Sequence, residues 1–381
     1  MKLASHIERL PRSGIRDFFE LVIGRDDVIS LGVGEPDFTT PWHIREATIF
    51  SLERGMTMYT SNRGLLSLRE EIVKYVAPIT GKTYSPQTDV LVTVGVSEAF
   101  DLALRAIIEP GDEIIYHAPC YVSYSPIIAM CHGVPVTVPT YIENDFDLLA
   151  EDVKKRITKK TKAIIINYPN NPTGAAGNLD ELKKIAELAV KNNILVILDE
   201  VYGELSYDTF VSVANFIPKE NLLYLNGFSK AYAMTGYRLG YACGMPDIIE
   251  GMMKIHQYTM LCASIIAQEA GVEALRNGAG ERETMRADYE RRRNVIVSGL
   301  NDIGLDCFMP KGAFYAFPSV AKTKLTGKEF AVRLLEAENV AVVPGEAFGV
   351  EGKNNIRCCY ATALSDIEKA LVGMKRFVAK L

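Results

Sequence analysis

The sequence predicts an α/β fold: a mostly parallel central sheet of seven strands with a smaller α+β domain beside it. Three observations carry that expectation. Seven short runs between residues 89 and 244 are largely apolar, as strands buried on both faces must be. Amphipathic helical patterns separate several of them. After about residue 285 the alternation gives way to longer helices mixed with short strands.

Taken in order, DVLVTV (89–94) opens the series, and SEAFDLALRAII (97–108) follows as a helix. EIIYH (113–117) leads to a helix in SYSPIIAMCHG (123–133), and VPVTVP (134–139) comes next. KAIIIN (162–167) precedes LDELKKIAELAVKNN (179–193), whose apolar residues form one stripe with lysines opposite. ILVILD (194–199), NLLYLN (221–226) and RLGYACG (238–244) complete the set. The charged helix pattern MRADYERRRNVIVSGLND then changes the character of the chain. GAFYAFPSV, a helix at KEFAVRLLEAE, strands at VAVVP and near NIRCCYA, and a last helix at LSDIEKALVGMKRFVAK follow it. VISLGVGEPDF, near the N-terminus, reads as a strand ending in a turn. The expected division is a large domain at 46–284 and a small one built from both chain ends, 1–45 and 285–381.

A chain of 381 residues has ample length for two domains. Its net charge of −5, with mixed signs and no basic tract, argues against nucleic acid as a partner. Seven scattered cysteines with no CxxC pair resemble buried thiols of a reducing compartment. None of the five histidines lies in an HExxH pattern, so no metal site is expected. The N-terminus reaches charged residues too soon for a signal core, and no window approaches a membrane span. The expected location is cytoplasmic.

The chemistry gathers around NGFSKAYAMTGYRLGY (226–241). Lys230 has no acidic residue within four positions, so no helical ion pair explains it, and Arg238 follows eight residues later. Ligands of open α/β sheets collect beyond the carboxyl ends of the strands. At those ends stand GVSEAF, whose Val96 and Ser97 N–H groups and Ser97 hydroxyl suit a phosphate, then NYPNNPTG, then Asp199 with Tyr202 three residues on. Pyridoxal phosphate needs an amine for a Schiff base, an acid facing its ring nitrogen, donors to its phenolic oxygen and a phosphate cup. Lys230, Asp199, Tyr202 with Asn171, and Ser97 with Arg238 supply one of each.

NNPTG (170–174), LDEVY (198–202), SKAYAMTGYRLGY (229–241) and GEPDF (34–38) occur in one order along nearly the whole chain. In these motifs the sequence resembles the class I aminotransferases of the pyridoxal-phosphate fold type I superfamily, of the aspartate, aromatic and alanine type. The resemblance implies that Asn171 bonds both the cofactor's phenolic oxygen and the substrate carboxylate. It implies that Arg357, in NNIRCCYA, clamps the substrate α-carboxylate, which the backbone of Gly34 also meets. It assigns Tyr121 to the face of the pyridine ring. Tyr59, in MYTSNRG, becomes a residue that reaches the neighbouring subunit's phosphate, which makes the protein a homodimer with shared sites. Ile15, in the N-terminal RSGIRDFFE, is implied near the substrate, with Arg16 or Arg63 as a second cation for acidic substrates.

Two departures stand out. Cys358 and Cys359 follow Arg357 where relatives carry small or hydroxyl residues, and they suit a buried strand better than catalysis. Gly227 stands where some relatives have a phosphate-binding serine, a contact left to Ser229 and Ser97. The implied reaction moves an amino group from an L-amino acid, with aspartate the first choice, to a 2-oxo acid such as 2-oxoglutarate. Lys230 is its proton shuttle. The alternatives are a β-elimination lyase on the same fold and an aminotransferase for aromatic amino acids or alanine. A ligand-sensing regulator is disfavoured, because only about 30 residues precede GEPDF.

Overall fold

The computed structural model describes residues 2–8, 10, 14, 24, 25 and 27–381. β1 (Ile29–Ser30) stands apart from the central sheet. That sheet holds β2 (Val90–Thr93), β3 (Glu113–Ala118), β4 (Val134–Pro139), β5 (Thr161–Ile166), β6 (Leu195–Asp199), β7 (Leu222–Gly227) and β8 (Gly240–Cys243). Their spatial order is β2-β8-β7-β6-β5-β3-β4. Neighbours run parallel except for β8, which is antiparallel to both β2 and β7. β8 returns from β7 through a loop with no helical crossover, which is the connection an antiparallel neighbour permits. Helices at Tyr124–Met130, Ala150–Arg156 and Leu179–Lys191 make the crossovers from β3 to β4, β4 to β5 and β5 to β6.

Each of the seven apolar runs becomes a strand whose limits differ from the sequence expectation by two residues or fewer. The physical reason is burial on both faces. Val196 and Leu198 enter the core on one side of the sheet, and Ile197 enters the core on the other. All three are 1% exposed or less. Alternation therefore produces no polar positions, and the strands read as continuous apolar runs.

A third core joins the two ends of the chain. Its strands are β9 (Tyr315–Ala316), β10 (Val340–Ala341) and β12 (Ile356–Cys359), while Val343 of the adjoining β11 (Val343–Pro344) packs into the core of the large sheet. Helices Ala279–Ile303, Gly327–Glu338 and Leu364–Val378 cover them. β1 pairs in parallel with β10, and β12 lies antiparallel between β11 and β9. VAVVP, expected as one strand, is two. The chain changes partners at Val342, from β1 on one side of it to β12 on the other.

Helices Trp42–Glu53, Leu66–Thr80, Pro246–Thr259 and Ile265–Asn277 have no counterpart in the sequence expectation. The first shows why. Trp42, Ile49, Phe50 and Leu52 are exposed, so apolar residues occupy more than one face and blur the stripe.

Glu200, next to the end of β6, is 2% exposed. Ser212 Oγ donates to its Oε1 at 2.8 Å, and its Oε2 has no partner. Burial pushes its carboxyl up to about 8 from an ordinary 4.5. The folded protein thus binds this proton more tightly than the unfolded chain does, and stability is withdrawn as pH rises between those two values. Glu200→Gln keeps the shape and removes the charge. We expect thermal unfolding of parent and variant to coincide near pH 4, below both values. By pH 8.5 the variant should be the more stable by roughly 2 kcal/mol or more. A difference that does not change with pH would remove this account of Glu200.

Candidate active site

The carboxyl ends of β2, β3, β5, β6 and β7 and the start of β8 open on one cavity of about 680 Å³. Eleven residues singled out from the sequence line it. Val96 and Ser97 come from the helix after β2, Tyr121 from the loop after β3, and Asn171 from the loop after β5. Asp199 and Tyr202 come from the end of β6, and Ser229, Lys230 and Arg238 from the β7–β8 loop. Gly34 and Arg357 enter from the third core. Tyr59 does not line the cavity and is 79% exposed. Ile15 and Arg16 lie outside the described residues. Arg63 is spent elsewhere: it pairs with Glu250 and donates to the Thr88 carbonyl, so it supplies no cation to the cavity.

Lys230 Nζ donates to the Gly34 carbonyl at 2.7 Å. It lies 5.9 Å from the Tyr202 ring centre and 5.7 Å from that of Phe314. Burial lowers its pKa to about 8, since an enclosed ammonium loses hydration that a neutral amine needs less. Asp199 shows the converse. Burial raises its pKa, while bonds from Tyr124 Oη to Oδ2 at 2.7 Å and from the Val201 N–H to Oδ1 at 3.3 Å act against that rise. Asn167 Nδ2 donates to the Asp199 carbonyl at 2.9 Å and fixes the backbone there.

Arg357 is 3% exposed. Its Nη1 donates to Asn171 Oδ1 at 3.0 Å and its Nη2 to the Gly32 carbonyl at 2.6 Å. Its Nε has no partner. The guanidinium carbon lies 4.5 Å from the Tyr315 ring centre and 4.8 Å from that of Phe348. Cys359 and Cys358 are buried on the same strand, and burial pushes both thiols up, Cys359 to about 11. Neither is a thiolate near neutral pH.

The opposite end of the cavity suits a phosphate. Gly95 begins the Gly95–Ile107 helix with φ +78°, a conformation that favours glycine. A Cβ there would meet Arg238 Nη2 at 2.6 Å, so the guanidinium lies directly on the helix start. Arg238 itself adopts φ +52°, a strained setting for a side-chain residue, and donates to the Thr235 carbonyl at 3.2 Å. The glycine at 227 also has a reason. A Cβ there would meet Val96 Cγ2 at 2.8 Å and the Leu239 carbonyl at 2.9 Å, which leaves no room for serine.

These features fit pyridoxal phosphate. Free N–H groups at a helix start and a guanidinium face one end. A buried carboxylate with raised pKa and a buried amine with lowered pKa line the same cavity. Among the described residues, no group of three or more His, Cys, Asp or Glu is placed to hold a metal ion. Sequence reasoning missed Tyr124, Asn167 and Tyr315. Tyr124 lies three residues after Tyr121 in PCYVSY, a spacing that gave a signal. Tyr315, in a short apolar strand, gave none.

The comparisons with known proteins agree. A family model described as "Aminotransferase class I and II" matches residues 26–373. The chain is 49% identical to "Putative aminotransferase YugH" of Bacillus subtilis (strain 168), covering 99% of this chain and 98% of the relative. It is 42% identical to an aspartate aminotransferase of Pyrococcus abyssi, over the same shares. The crystal structure of an aromatic aminotransferase from Pyrococcus horikoshii OT3 superposes with a TM-score of 0.91 at 42% identity, covering 96% of this chain and 99% of that one.

The lowered pKa of Lys230 has a direct readout. In trace acetylation of the cofactor-free protein followed by peptide mapping, labelling of Lys230 should rise with a midpoint near pH 8. Ordinary exposed lysines should rise about two units higher. A Lys230 midpoint near the ordinary lysine value would contradict the assigned environment.

Proposed function

Since the chain belongs to the class I and II aminotransferase family, we propose that it moves the amino group of L-aspartate to 2-oxoglutarate, and the reverse. The enzyme is a transaminase dependent on pyridoxal 5′-phosphate. One observation carries the assignment of roles. A buried amine, a buried carboxylate and a buried guanidinium with an unpartnered N–H open into one cavity.

Bound pyridoxal phosphate supplies an aldehyde for the substrate amine and a ring that takes up electrons when the Cα proton leaves. Lys230 takes that proton and returns it on the far side of the transfer, a task suited to an amine whose pKa is about 8. With the cofactor bound, Asp199 would keep the ring nitrogen protonated and Tyr121 would support the ring face. Tyr202 and Asn171 would donate to the ring oxygen. Val96, Ser97, Ser229 and Arg238 would hold the phosphate. Arg357 and the Gly34 backbone orient the α-carboxylate, so that the Cα–H bond faces Lys230. The division into 46–284 and the two chain ends belongs to this reading. It is supported by the separate core around β9, β10 and β12, although Tyr202, Leu205 and Tyr207 also pack there.

Aspartate rests on the named relatives. A second reading, aromatic donors, is favoured by the walls near Arg357. Val33, Tyr121 and Tyr315 line the cavity, and Arg63 is committed to Glu250. Initial rates with aspartate, alanine, tyrosine and phenylalanine against 2-oxoglutarate separate the two. Aspartate should give the highest kcat/KM, with glutamate formed in step with oxaloacetate. Faster transfer from tyrosine or phenylalanine would replace aspartate. Ammonia release without glutamate would point to a lyase.

The proposed assembly is a cytoplasmic homodimer. Every cysteine is free, and no described helix is long and apolar enough to cross a membrane. Trp42, Phe50, Met58, Tyr59 and Tyr258 are exposed. Asn62 Nδ2 donates to the Leu261 carbonyl at 2.8 Å, which joins the Tyr59 segment to the turn after Tyr258. A second copy on this surface would bring Tyr59 to its partner's phosphate. Mixing Lys230→Ala with Tyr59→Phe tests that arrangement, because a mixed dimer then regains one unaltered site. Activity above that of either parent variant is expected. Confirmed subunit exchange with no gain would end the shared-site proposal.

A further inference from the structure

β9 and β12 are antiparallel neighbours, and Tyr315 stands directly opposite Cys359. Arg357 is two residues from Cys359, so it occupies the same face as Tyr315 on the diagonal, within reach of an aromatic side chain. The contact forms: the Arg357 guanidinium carbon lies 4.5 Å from the Tyr315 ring centre. At its other end, Tyr315 Oη lies 2.8 Å from Tyr202 Oη, with the two rings edge to face. Tyr315 is 1% exposed and Tyr202 4%. Gly34 closes off the remaining side, since a Cβ there would meet the Tyr315 hydroxyl at 2.7 Å.

We propose that Tyr315 is a positioning residue that links Tyr202, the donor to the cofactor's ring oxygen, to Arg357, the substrate's carboxylate clamp. The proposal rests on the roles given to Tyr202 and Arg357 above. Two hydroxyls facing each other share one hydrogen bond, and its direction matters. If Tyr202 gave its proton to Tyr315, none would remain for the cofactor. A guanidinium on the face of the Tyr315 ring draws electron density from that ring and strengthens its hydroxyl as a donor. The bond therefore runs from Tyr315 to Tyr202, and Tyr202 donates onward into the cavity. A donor that is itself receiving a hydrogen bond is polarised and donates more strongly. The same ring holds the guanidinium plane in position for a carboxylate.

The two contacts can be removed separately. Tyr315→Phe deletes the hydroxyl and keeps the ring, and Tyr315→Leu deletes both. The holoenzymes would be titrated from pH 5 to pH 10 by the visible absorbance of bound pyridoxal phosphate. A donor to the ring oxygen favours its anionic form, so weakening that donor raises the pH at which the band changes. Tyr315→Phe should raise the midpoint by roughly 0.5 unit, with KM for amino donor and 2-oxoglutarate within about twofold of the parent. Tyr315→Leu should show the same rise, with KM up by roughly tenfold for both substrates.

The decisive comparison adds Tyr315→Phe to Tyr202→Phe. If Tyr315 acts through Tyr202, the midpoint of the double variant should match that of Tyr202→Phe alone. An unchanged midpoint in Tyr315→Phe, or an equal shift in both backgrounds, would overturn the proposal. Should Tyr315→Leu fail to fold, the phenylalanine cycle still decides. A parent protein that takes up no pyridoxal phosphate would bring down the role of Tyr202, and this proposal with it.

Discussion

Lys230, Asp199 and Arg357 are buried side chains that line one cavity, yet none of them pairs with another. Each is held by neutral dipoles: the Gly34 carbonyl for the lysine, Tyr124 and the Val201 N–H for the aspartate, Asn171 and the Gly32 carbonyl for the arginine. Charges taken out of water without an opposite charge are costly, and neutral dipoles offset only part of that cost. The direction of the Lys230 and Asp199 pKa shifts records the remainder. Such a site is least stable when empty of counter-charge. A ligand that brings a cation to Asp199 and an anion to Arg357 relieves both at once, which is how a protein stores affinity in its own fold.

Holding those dipoles in place needs rigid support, and the loop that carries Gly32 and Gly34 shows how it is given. Arg292 Nη1 lies 2.8 Å from both oxygens of Asp37 on that loop and 2.7 Å from the Thr362 carbonyl after β12. Its Nη2 pairs with Asp288 on its own helix at 2.6 Å. One buried guanidinium thus ties the segment that receives Lys230 to the strand that bears Arg357. At the phosphate end the support is similar. Glu98 accepts from the Val94 N–H at 2.5 Å and meets His256 at 2.7 Å, which anchors the start of the Gly95–Ile107 helix.

Physical signals of different strength explain what was legible beforehand. Strands buried on both faces announce themselves, and β2 to β8 could be read within two residues. The Trp42–Glu53 helix could not, because its outward residues Trp42, Ile49, Phe50 and Leu52 are apolar. Lys230, Asp199 and Arg238 lie close to strand ends in one sheet, so the topology of an open α/β fold brings them together. Arg357 is different. It reaches the cavity from another core, and only a family motif pointed to it. Tyr315 was passed over because a tyrosine among apolar neighbours has the same appearance in a core as in a site.

The division between fixed and variable parts of the cavity follows from the same physics. The reaction at Cα needs an amine, a carboxylate and a carboxylate clamp, and these come from strand ends and from a strand locked by Arg292. Another part of the cavity lining is more open to solvent. Val33 is 45% exposed and Glu35 is exposed, both lining the cavity from the loop whose carbonyls hold Lys230 and Arg357. Val33 carries no charge, whereas the Glu35 carboxylate acts on Lys230 and favours its charged form, against the effect of burial. Relatives named for aspartate and for aromatic amino acids are both about two-fifths identical to this chain, so overall likeness does not by itself fix the substrate. In the proposed reaction Lys230, Asp199 and Arg357 act at Cα, and exposed lining such as Val33 is left open to variation for the substrate's side chain.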